Sequence, residues 1–283
     1  MSSKEVGDES CDERGKPSAQ RIRINHWILD PGTKSQSSHF RALEIFLSVA
    51  VACIAVFIYL DPPVYEMKCD FDLVEVFENG VEKLQLSFTN QTDRFWKILR
   101  TRGLAHLREK YPRRPLVFLL PAPPAAHEWL DCLAIKLTEK LDPRHKTTLA
   151  IIDSEKEKAN PSETTKKKMD NFLKQKVVAG HRVILIRHLE LLPPPSPILF
   201  HSYCDDQDAP HKHVAFIFTV HMPVEPSSSL SSEEAEKSVE DYLSGEVWVK
   251  VDKNAVASLL SRIADTVVLM NGESSGSVKA LCS

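Results

Sequence analysis

Glycine is scarce in this chain, which has nine glycines among 283 residues but eighteen prolines. An average protein has about 7% glycine, roughly twice this share. Enzymes that hold nucleotide phosphates on backbone amides need glycines at fixed spacings, because a side chain would block the close approach. The shortage therefore argues against a nucleotide-binding enzyme.

An excess of basic residues is also missing, since 36 Lys+Arg stand against 39 Asp+Glu and the formal charge is −3. A protein that binds nucleic acid broadly needs a basic face to neutralise phosphates. We therefore expect no nucleic-acid partner. The apolar share of 42% is that of an ordinary globular protein rather than a disordered chain.

One uncharged run lies near the amino terminus, at residues 45–60, and reads IFLSVAVACIAVFIYL. As a helix it spans about 24 Å, close to the thickness of a bilayer's hydrocarbon core. The polar residues 1–44 before it and the lack of a small-residue cleavage pattern after it argue against a signal peptide. We expect a single transmembrane helix here, preceded by a short disordered tail.

The charges on the two sides of this run differ in sign. Basic residues before it include Arg21, Arg23, Lys34 and Arg41, whereas the charged residues that follow it closely are mainly acidic: Asp61, Glu66, Asp70, Asp72 and Glu75, with only Lys68 opposing. The positive-inside rule places residues 1–44 in the cytosol or nucleoplasm and everything after residue 60 in the lumen. The prediction is a type II single-pass protein. The sequon at Asn90, an acceptor for N-glycosylation on the luminal side, agrees with it.

Four of the six cysteines follow the membrane segment. They are Cys69, Cys132, Cys204 and Cys282. An even number permits disulfides in three alternative pairings, and the spacing does not choose among them. Buried free thiols are the other interpretation in a domain of this size.

Beyond a stalk at residues 61–92, strands and helices alternate through residues 93–283. Short apolar runs predict buried strands, and longer runs with apolar residues three and four apart predict helices. The predicted strands are 116–120, 148–152, 183–186, 214–220 and 266–270, and the predicted helices are 93–111, 125–141, 162–179, 233–249 and 254–264. This alternation predicts an α/β domain with a mostly parallel sheet flanked by helices.

The turn that follows the first strand is where such folds bind phosphate. Here residues 121–127 read PAPPAAH, without glycine or lysine, and the prolines lack the amides that would hold an anion. Arg187 and His188 follow the third strand where magnesium-binding acids would stand, and Glu190 lies too far along. The sequence predicts no independent ATP hydrolysis and no bound cofactor.

Two other patterns resemble a catalytic motif and a metal site, but each is more typical of ordinary surface structure. Residues 272–276, GESSG, match the nucleophile elbow G-x-S-x-G, but no histidine follows them, so we expect a flexible tail. Residues 204–213 contain metal-capable side chains without a second Cys/His pair at a zinc spacing. That segment is interpreted as a hydrophilic loop. Its metal-capable residues are Cys204, Asp205, Asp206, Asp208, His211 and His213.

Arg262 lies on the rim of the last predicted helix. The apolar stripe of this helix consists of Val256, Leu259, Leu260 and Ile263. Arg262 is about 110° from the centre of the stripe, so its side chain is expected to be partly exposed on a rigid element. By itself, this position is typical of a surface cation near a helix carboxyl terminus.

Several stretches resemble the luminal domains of the torsin-A-interacting proteins, the family of lamina-associated polypeptide one and its luminal-domain-like homologue. Residues 197–205, PILFHSYCD, resemble the family's aromatic-Tyr-Cys-Asp segment after a proline-bearing loop, and residues 214–220, VAFIFTV, resemble its next strand. Residues 259–263, LLSRI, match its Ser-Arg-Ile helix. The chain also ends like the family, with Cys282 near the terminus. The resemblance covers roughly residues 93–283.

The resemblance implies a degenerate AAA+-like fold that has lost its nucleotide site, in a protein that is not itself an enzyme. It implies a luminal domain that binds ATP-loaded torsin, a AAA+ ATPase of the endoplasmic reticulum and perinuclear space, and stimulates its ATP hydrolysis. The family supplies an arginine finger in trans, and Arg262 occupies that position. A planar guanidinium can neutralise charge on the transferring γ-phosphoryl group.

Location and covalent structure are expected to follow the family as well. We expect the chain in the membrane of the endoplasmic reticulum or in the nuclear envelope, at the inner nuclear membrane. Cys204 and Cys282 are the pair that we expect to form a disulfide, and Asn90 is the expected glycosylation site. The alternative function is a structural tether, with luminal partners on one side and a contact of residues 1–44 with the nuclear lamina on the other.

Overall fold

A computed structural model of the chain describes residues 72–225, 231–273 and 276–282. The predicted membrane segment at 45–60 and the tail before it lie outside these residues. Within the described part, no helix has the length and apolar character needed to cross a membrane. The expected type II topology therefore stays a prediction.

Four parallel strands form the centre of the fold. β1 spans Leu116–Ala122, β2 Ala150–Asp153, β3 Val183–Arg187 and β4 Ala215–His221, in the spatial order β1-β4-β3-β2. β1 and β4 pair along all seven residues of each strand. Their apolar sequences suit strands that are buried on both faces. The predicted α/β class with a parallel sheet is confirmed, and it is consistent with an AAA+-like domain.

The predicted fifth strand at 266–270 is reduced to a single bridge between Leu119 and Val267 on the outer edge of β1. Three backbone hydrogen bonds join the two segments: Leu119 N to Thr266 O (3.0 Å), Val268 N to Leu119 O (2.8 Å) and Met270 N to Pro121 O (2.9 Å). A regular parallel ladder would continue from Pro121 N to Val268 O. Because proline has no amide hydrogen, the ladder is interrupted there.

Helices cover both faces of the sheet. They are α1 Leu73–Ser87, α2 Asp93–Arg108, α3 His127–Leu141, α4 Ser162–Val178, α5 Phe200–Tyr203, α6 Ser232–Tyr242, α7 Lys253–Ile263 and α8 Gly276–Cys282. The helix predicted at 233–249 is α6 followed by a π-helical turn, Leu243–Val247. The other predicted helices are present with ends that differ by at most three residues.

An apolar core lies on each face of the sheet. Successive side chains of a strand point to opposite faces, so Leu119 packs in one core while Phe118 and Leu120 pack in the other. Helices α4 to α7 cover the first core, and α1 to α3 together with α8 cover the second. The fold thus has three layers, with α7 and α3 on opposite sides of the sheet.

The predicted stalk boundary at residue 93 is wrong, because α1 belongs to the folded domain. Phe77, Val81 and Phe88 of this segment are fully buried in the second core. Gly103 of α2 allows the close contact, since a Cβ atom there would lie 2.3 Å from the ring of Phe77. The domain therefore includes residues at least from Leu73 onward.

The predicted disulfide between Cys204 and Cys282 is also wrong. Cys282 of α8 is bonded to Cys132 of α3, with Cα atoms 5.7 Å apart, and Cys204 is a buried free thiol. Cys204 packs in the first core and Cys282 against the second, so the sheet separates them. Burial raises the pKa of the Cys204 thiol well above its usual range. The expected flexible tail is instead a helix whose Val278 is fully buried.

Replacement of Gly103 by alanine tests the packing of α1 on α2. The added methyl group meets the ring of Phe77, and we expect Gly103→Ala to lower the free energy of unfolding by about 1–3 kcal/mol. Gly245→Ala is the matched control, because a Cβ there meets nothing within 4 Å. Urea unfolding followed by circular dichroism measures both. Equal stability of the two variants would contradict the observed packing.

Removal of the disulfide tests the covalent link between α3 and α8. The bond joins residues 150 apart, and we expect Cys282→Ser to lower the free energy of unfolding by about 2–5 kcal/mol, since the unfolded chain gains freedom. Peptide mapping without reduction should yield a linked Cys132–Cys282 peptide. Cys204→Ala should retain that peptide. A Cys204–Cys282 peptide in the native chain would refute the assignment.

Candidate functional site

The turn after β1 has its backbone donors occupied. Pro123 and Pro124 have no amide hydrogen. The amide of Ala125 donates to the Glu225 carboxylate at 2.6 Å, and the amide of Ala126 donates to the carbonyl of Pro123 at 2.8 Å. This turn, residues 123–126, therefore offers no cradle for a phosphate.

Charged side chains fill the edge of the sheet beside this turn. Asp131 of α3 accepts hydrogen bonds from Arg187, the last residue of β3, and from His188 Nε2 at 3.1 Å. His188 is the only non-glycine residue of the described part with a positive φ, 56°. Its amide donates to Thr219 Oγ1 at 2.9 Å. A left-handed backbone conformation is uncommon in residues other than glycine. The hydrogen bonds of His188 to Thr219 and Asp131 stabilise this conformation in the turn after β3.

The protonation states at this edge follow from burial and from neighbouring charge. Burial opposes the ionisation of Asp131, but the hydrogen bonds from His188 and Arg187 outweigh it and hold the pKa of this carboxyl well below its usual range. The bond to Asp131, together with Glu190, raises the pKa of His188 to about 9. Burial and then the positive charge of His188 lower the pKa of His221 to about 4. At neutral pH His188 is thus a cation and His221 is neutral.

Arg262 lies near the carboxyl end of α7, as predicted, and its helix packs through the predicted apolar stripe. That stripe consists of Val256, Leu259, Leu260 and Ile263, all buried. The side chain of Arg262 is 26% exposed, which agrees with a position on the rim. The amino end of α7 is fixed by Asp252, whose side chain accepts from Ala255 N at 2.9 Å.

Hydrogen bonds hold the guanidinium of Arg262 on three sides. Its Nε and Nη2 each contact Asp205 Oδ2 at 2.8 Å. Its Nη1 donates to the Ser258 carbonyl at 2.8 Å and contacts the hydroxyls of Ser258 and Ser261 at 3.1 and 3.3 Å. His201 Nε2 lies 2.8 Å from the same Ser258 hydroxyl. The orientation of the arginine is therefore set before any partner arrives.

Asp205 is an anion that its own loop stabilises. Its Oδ1 accepts from the backbone amides of Gln207 at 2.9 Å and of Asp208 at 2.8 Å. The bond from Asp208 N and then the Arg262 guanidinium lower the pKa of this carboxyl to about 2. Sequence reasoning placed Asp205 in a hydrophilic loop and did not connect it with Arg262, 57 residues away.

Two recesses open beside Arg262. One has a volume of about 350 Å³ and is lined by Asp205 to Asp208 with Ser261. The other, of about 150 Å³, brings Arg262 near further charged side chains, which are Arg102, Arg114, Asp206 and Asp265. Arg114 lies 3.3 Å from Asp206 and 3.7 Å from Asp265. Arg262 thus belongs to a surface on which both signs of charge alternate.

The two charged regions lie at opposite ends of β1. Leu116, the first residue of the strand, lines the smaller recess beside Arg262, and the carbonyl of Ala122, the last residue, contacts His127 at 3.0 Å. A strand of seven residues spans about 20 Å. Arg262 is therefore remote from the turn at residues 123–126, the position at which related folds bind a nucleotide phosphate.

The other predicted site residues lie elsewhere in the fold. Asn90 is exposed between α1 and α2, and its side-chain amide donates to the carbonyl of Gly272. The metal-capable residues of segment 204–213 do not form a metal group among the described residues. Asp205 is bound to Arg262, and Cys204 is buried.

Two groups of the described part have metal-ligand atoms close together. They are Asp142 with His145 and His181, and His188 with Glu190 and His221. Sequence reasoning noted that His188 stands where a magnesium-binding acid would be expected and that Glu190 lies too far along the chain, and it passed over His221. The available signal was that His188 directly follows β3 and His221 ends β4, which places both at one edge of a parallel sheet.

Comparison with known proteins gives one family. A family model described as "Lamina-associated polypeptide 1, AAA+ activator domain" matches residues 60–279. This match includes the whole segment 61–92 that the sequence predicted to be a stalk, in agreement with the buried position of α1. It covers both Arg262 and the charged edge at Asp131.

Curated relatives with the name Torsin-1A-interacting protein 1 are similar over much of the chain. The protein of Bos taurus is 27% identical over 81% of this chain and 39% of its own length. The protein of Rattus norvegicus is 26% identical over 91% of this chain and 42% of its own. The protein of Pongo abelii is 30% identical over 60% of this chain and 29% of its own. The chain thus spans well under half the length of these relatives.

Loss of Arg262 should change the titration of Asp205. We expect a pKa of about 2 for Asp205 in the native chain. In Arg262→Ala the pKa should rise, because one group that favours the carboxylate is gone. It should stay below the ordinary value of about 3.9, because the amides of Gln207 and Asp208 remain. An NMR titration of the side-chain carboxyl measures the shift.

The same ion pair has a defined effect on acid stability. Since the pKa of Asp205 is lower in the folded chain than in the unfolded one, its contribution to stability is present above about pH 4 and is lost as the pH falls towards about 2. Arg262→Ala should be less sensitive to acid in this window than the native chain. An unchanged Asp205 pKa in that variant would contradict the ion pair.

Proposed function

The chain belongs to the family of the lamina-associated polypeptide 1 AAA+ activator domain, and from this we propose that its folded domain binds a torsin-type AAA+ ATPase and stimulates ATP hydrolysis. The name of the curated relatives states that they interact with torsin-1A, which supports the choice of partner. One contrast carries the proposal. The turn after β1 has no free backbone donors for a phosphate, whereas at the other end of that strand hydrogen bonds already fix the orientation of Arg262.

In this proposal the chain is not itself an ATPase. The amides of Ala125 and Ala126 are occupied, so no backbone donors are left to hold phosphates in that turn. Arg187 ends β3 and His188 follows it, and both bind Asp131. Asp131 is thereby neutralised by two cations rather than left to bind magnesium. The torsin partner supplies the nucleotide site.

Arg262 acts as the arginine finger in trans. An arginine that serves a neighbour's nucleotide must be accessible to that neighbour, and the partial exposure of Arg262 at the end of β1 away from the closed turn supports this role. A guanidinium has five N–H donors. The bonds to Asp205, Ser258 and Ser261 account for Nε, for Nη1 and for one of the two Nη2 hydrogens. A phosphate oxygen can accept a hydrogen bond from the remaining Nη2 hydrogen. It can also compete with Asp205 for the hydrogens on Nε and Nη2 that Asp205 now binds.

The proposed topology is that of a type II protein with its membrane segment at 45–60. The folded domain then lies in the lumen of the endoplasmic reticulum or in the perinuclear space. The Cys132–Cys282 disulfide supports this placement, since disulfides persist in oxidising compartments and are rare in the cytosol. Glycosylation at the exposed Asn90 belongs to the same proposal.

ATPase measurements test the role of Arg262. Purified full chain, solubilised in detergent, is added to torsin with ATP, and the hydrolysis rate is compared for the native chain and Arg262→Ala. We expect the variant to leave torsin at its basal rate, because arginine fingers contribute about 10³–10⁵ in kcat. Arg262→Lys should not restore the rate, since an ammonium lacks the planar pair of donors.

A second variant and a binding measurement distinguish a specific role of Arg262 in hydrolysis from the effect of losing any positive charge in this recess. Arg114→Ala removes a guanidinium from the same recess and should retain stimulation. Arg262→Ala should still bind ATP-loaded torsin in a pull-down. Equal stimulation by Arg262→Ala and the native chain would remove Arg262 from the mechanism. Binding without stimulation by the native chain would favour the tether instead.

A further inference from the structure

Three buried side-chain atoms without hydrogen-bond partners lie close together at the carboxyl edge of the sheet. They are His188 Nδ1, Glu190 Oε2 and His221 Nε2. The ligand atoms of these three residues all lie within 4.8 Å of one another. The side chain of Glu190 is only 6% exposed, so water does not compensate its carboxylate freely. Unpaired polar atoms in such a place are costly and indicate a missing common partner.

We propose that His188, Glu190 and His221 form a binding site for a divalent transition metal of the zinc class. Two imidazole nitrogens and one carboxylate oxygen are a ligand set that zinc prefers, and three protein ligands leave a fourth position for water or an outside group. This site is separate from Arg262 and does not depend on the activation of an ATPase.

The distances are close to those that a metal needs. Ligand atoms at about 2.0–2.1 Å from a tetrahedral zinc lie roughly 3.3 Å from one another. His188 Nδ1 is 3.7 Å from Glu190 Oε1. The remaining separations, up to 4.8 Å, close with side-chain shifts of about 1 Å.

A second layer of contacts orients the two histidines. His188 Nε2 is bonded to Asp131 at 3.1 Å, which leaves Nδ1 for the metal, as zinc-bound histidines commonly donate their other nitrogen to a carboxylate. The ring of His221 stacks on His127 with centroids 3.9 Å apart and an interplanar angle of 9°. It also meets the ring of His188 edge-on at 4.3 Å. His127 is itself held by the carbonyls of Ala122 and Met222.

The other histidine group of the described part lacks these features and serves as a control. Asp142 bonds the ring of His145 and the amide of Arg182. None of the side-chain atoms of Asp142, His145 or His181 is among the buried atoms without a partner in the part of the chain that the structure describes. In this group Asp142 and His145 are thus paired with each other, and the ring of His181 stacks on that of His145 with centroids 4.0 Å apart.

A proton on His188 is the competing occupant of the proposed site. In its cationic form His188 is bonded to Asp131, but its Nδ1 lies 3.7 Å from Glu190 Oε1, which is too long for a hydrogen bond, and His221 Nε2 still has no partner. Zinc replaces the proton on Nδ1, so binding releases protons and ties the turn after β3 to the end of β4.

Metal titration of the full chain distinguishes the two occupants. Purified full chain is stripped with a chelator and titrated with Zn²⁺ in a calorimeter, and Co²⁺ is used in parallel for its visible absorption. We expect one metal ion per chain and a higher melting temperature with Zn²⁺. Glu190→Gln and His221→Ala should weaken binding at least 10–100-fold and remove the Co²⁺ spectrum, and Asp131→Asn should weaken binding about 10–100-fold.

Two further variants keep the result interpretable. His188→Asn retains a residue that tolerates positive φ, so it should fold and lose the metal. His145→Gln changes the control group and should bind Zn²⁺ like the native chain. Circular dichroism verifies that each variant is folded. Absence of Zn²⁺ binding by the native chain would overturn the proposal, as would equal affinity in the native chain, Glu190→Gln and His221→Ala.

Discussion

The pairing of β1 with β4 determines where both charged regions lie. The two strands are bonded along their whole length, seven residues each, and β4 joins β1 to the rest of the sheet. The beginning of β1 forms part of the recess at Arg262, and its end carries the turn that leads to His127 and α3. The recess at Arg262 and the cluster of His188 and His221 thus lie at opposite ends of this pair. Apolar strands buried on both faces make the pair rigid, so the distance between the two regions is set by strand length.

Much of the fold was predictable because its signals are local. Buried parallel strands have short apolar sequences, and the stripe of α7 placed Arg262 correctly on a rim. The segment at 266–270 shows the limit of such reasoning. Its composition is that of a strand, and three bonds to β1 form, but Pro121 on the neighbouring strand lacks the hydrogen that the ladder needs. A residue's state can thus depend on a partner almost 150 positions away.

The predictions that failed all concerned long-range contacts. The mixed acidic and apolar composition of residues 73–88 resembles that of a stalk. The sequence signal for their packing is Gly103, whose missing side chain leaves room for the ring of Phe77. Four cysteines allowed three pairings, and the choice depends on which face of the sheet each cysteine meets. The Asp205–Arg262 pair and the cluster of His188, Glu190 and His221 also join residues that are distant in the sequence, so local patterns do not reveal them. Side-chain type indicates what a residue can do, but the topology decides what it meets.

The disulfide between Cys132 and Cys282 has a consequence for biosynthesis. Its second cysteine is made 150 residues after the first, and chains grow at about 5–20 residues per second, so the Cys132 thiol waits about 8–30 s for its partner. Helix α8, which packs against α1 and α3, is made after the other described helices. The second core therefore closes only after synthesis of the described domain is complete. Throughout that interval Cys132 is open to any oxidant or mispairing thiol near the growing chain.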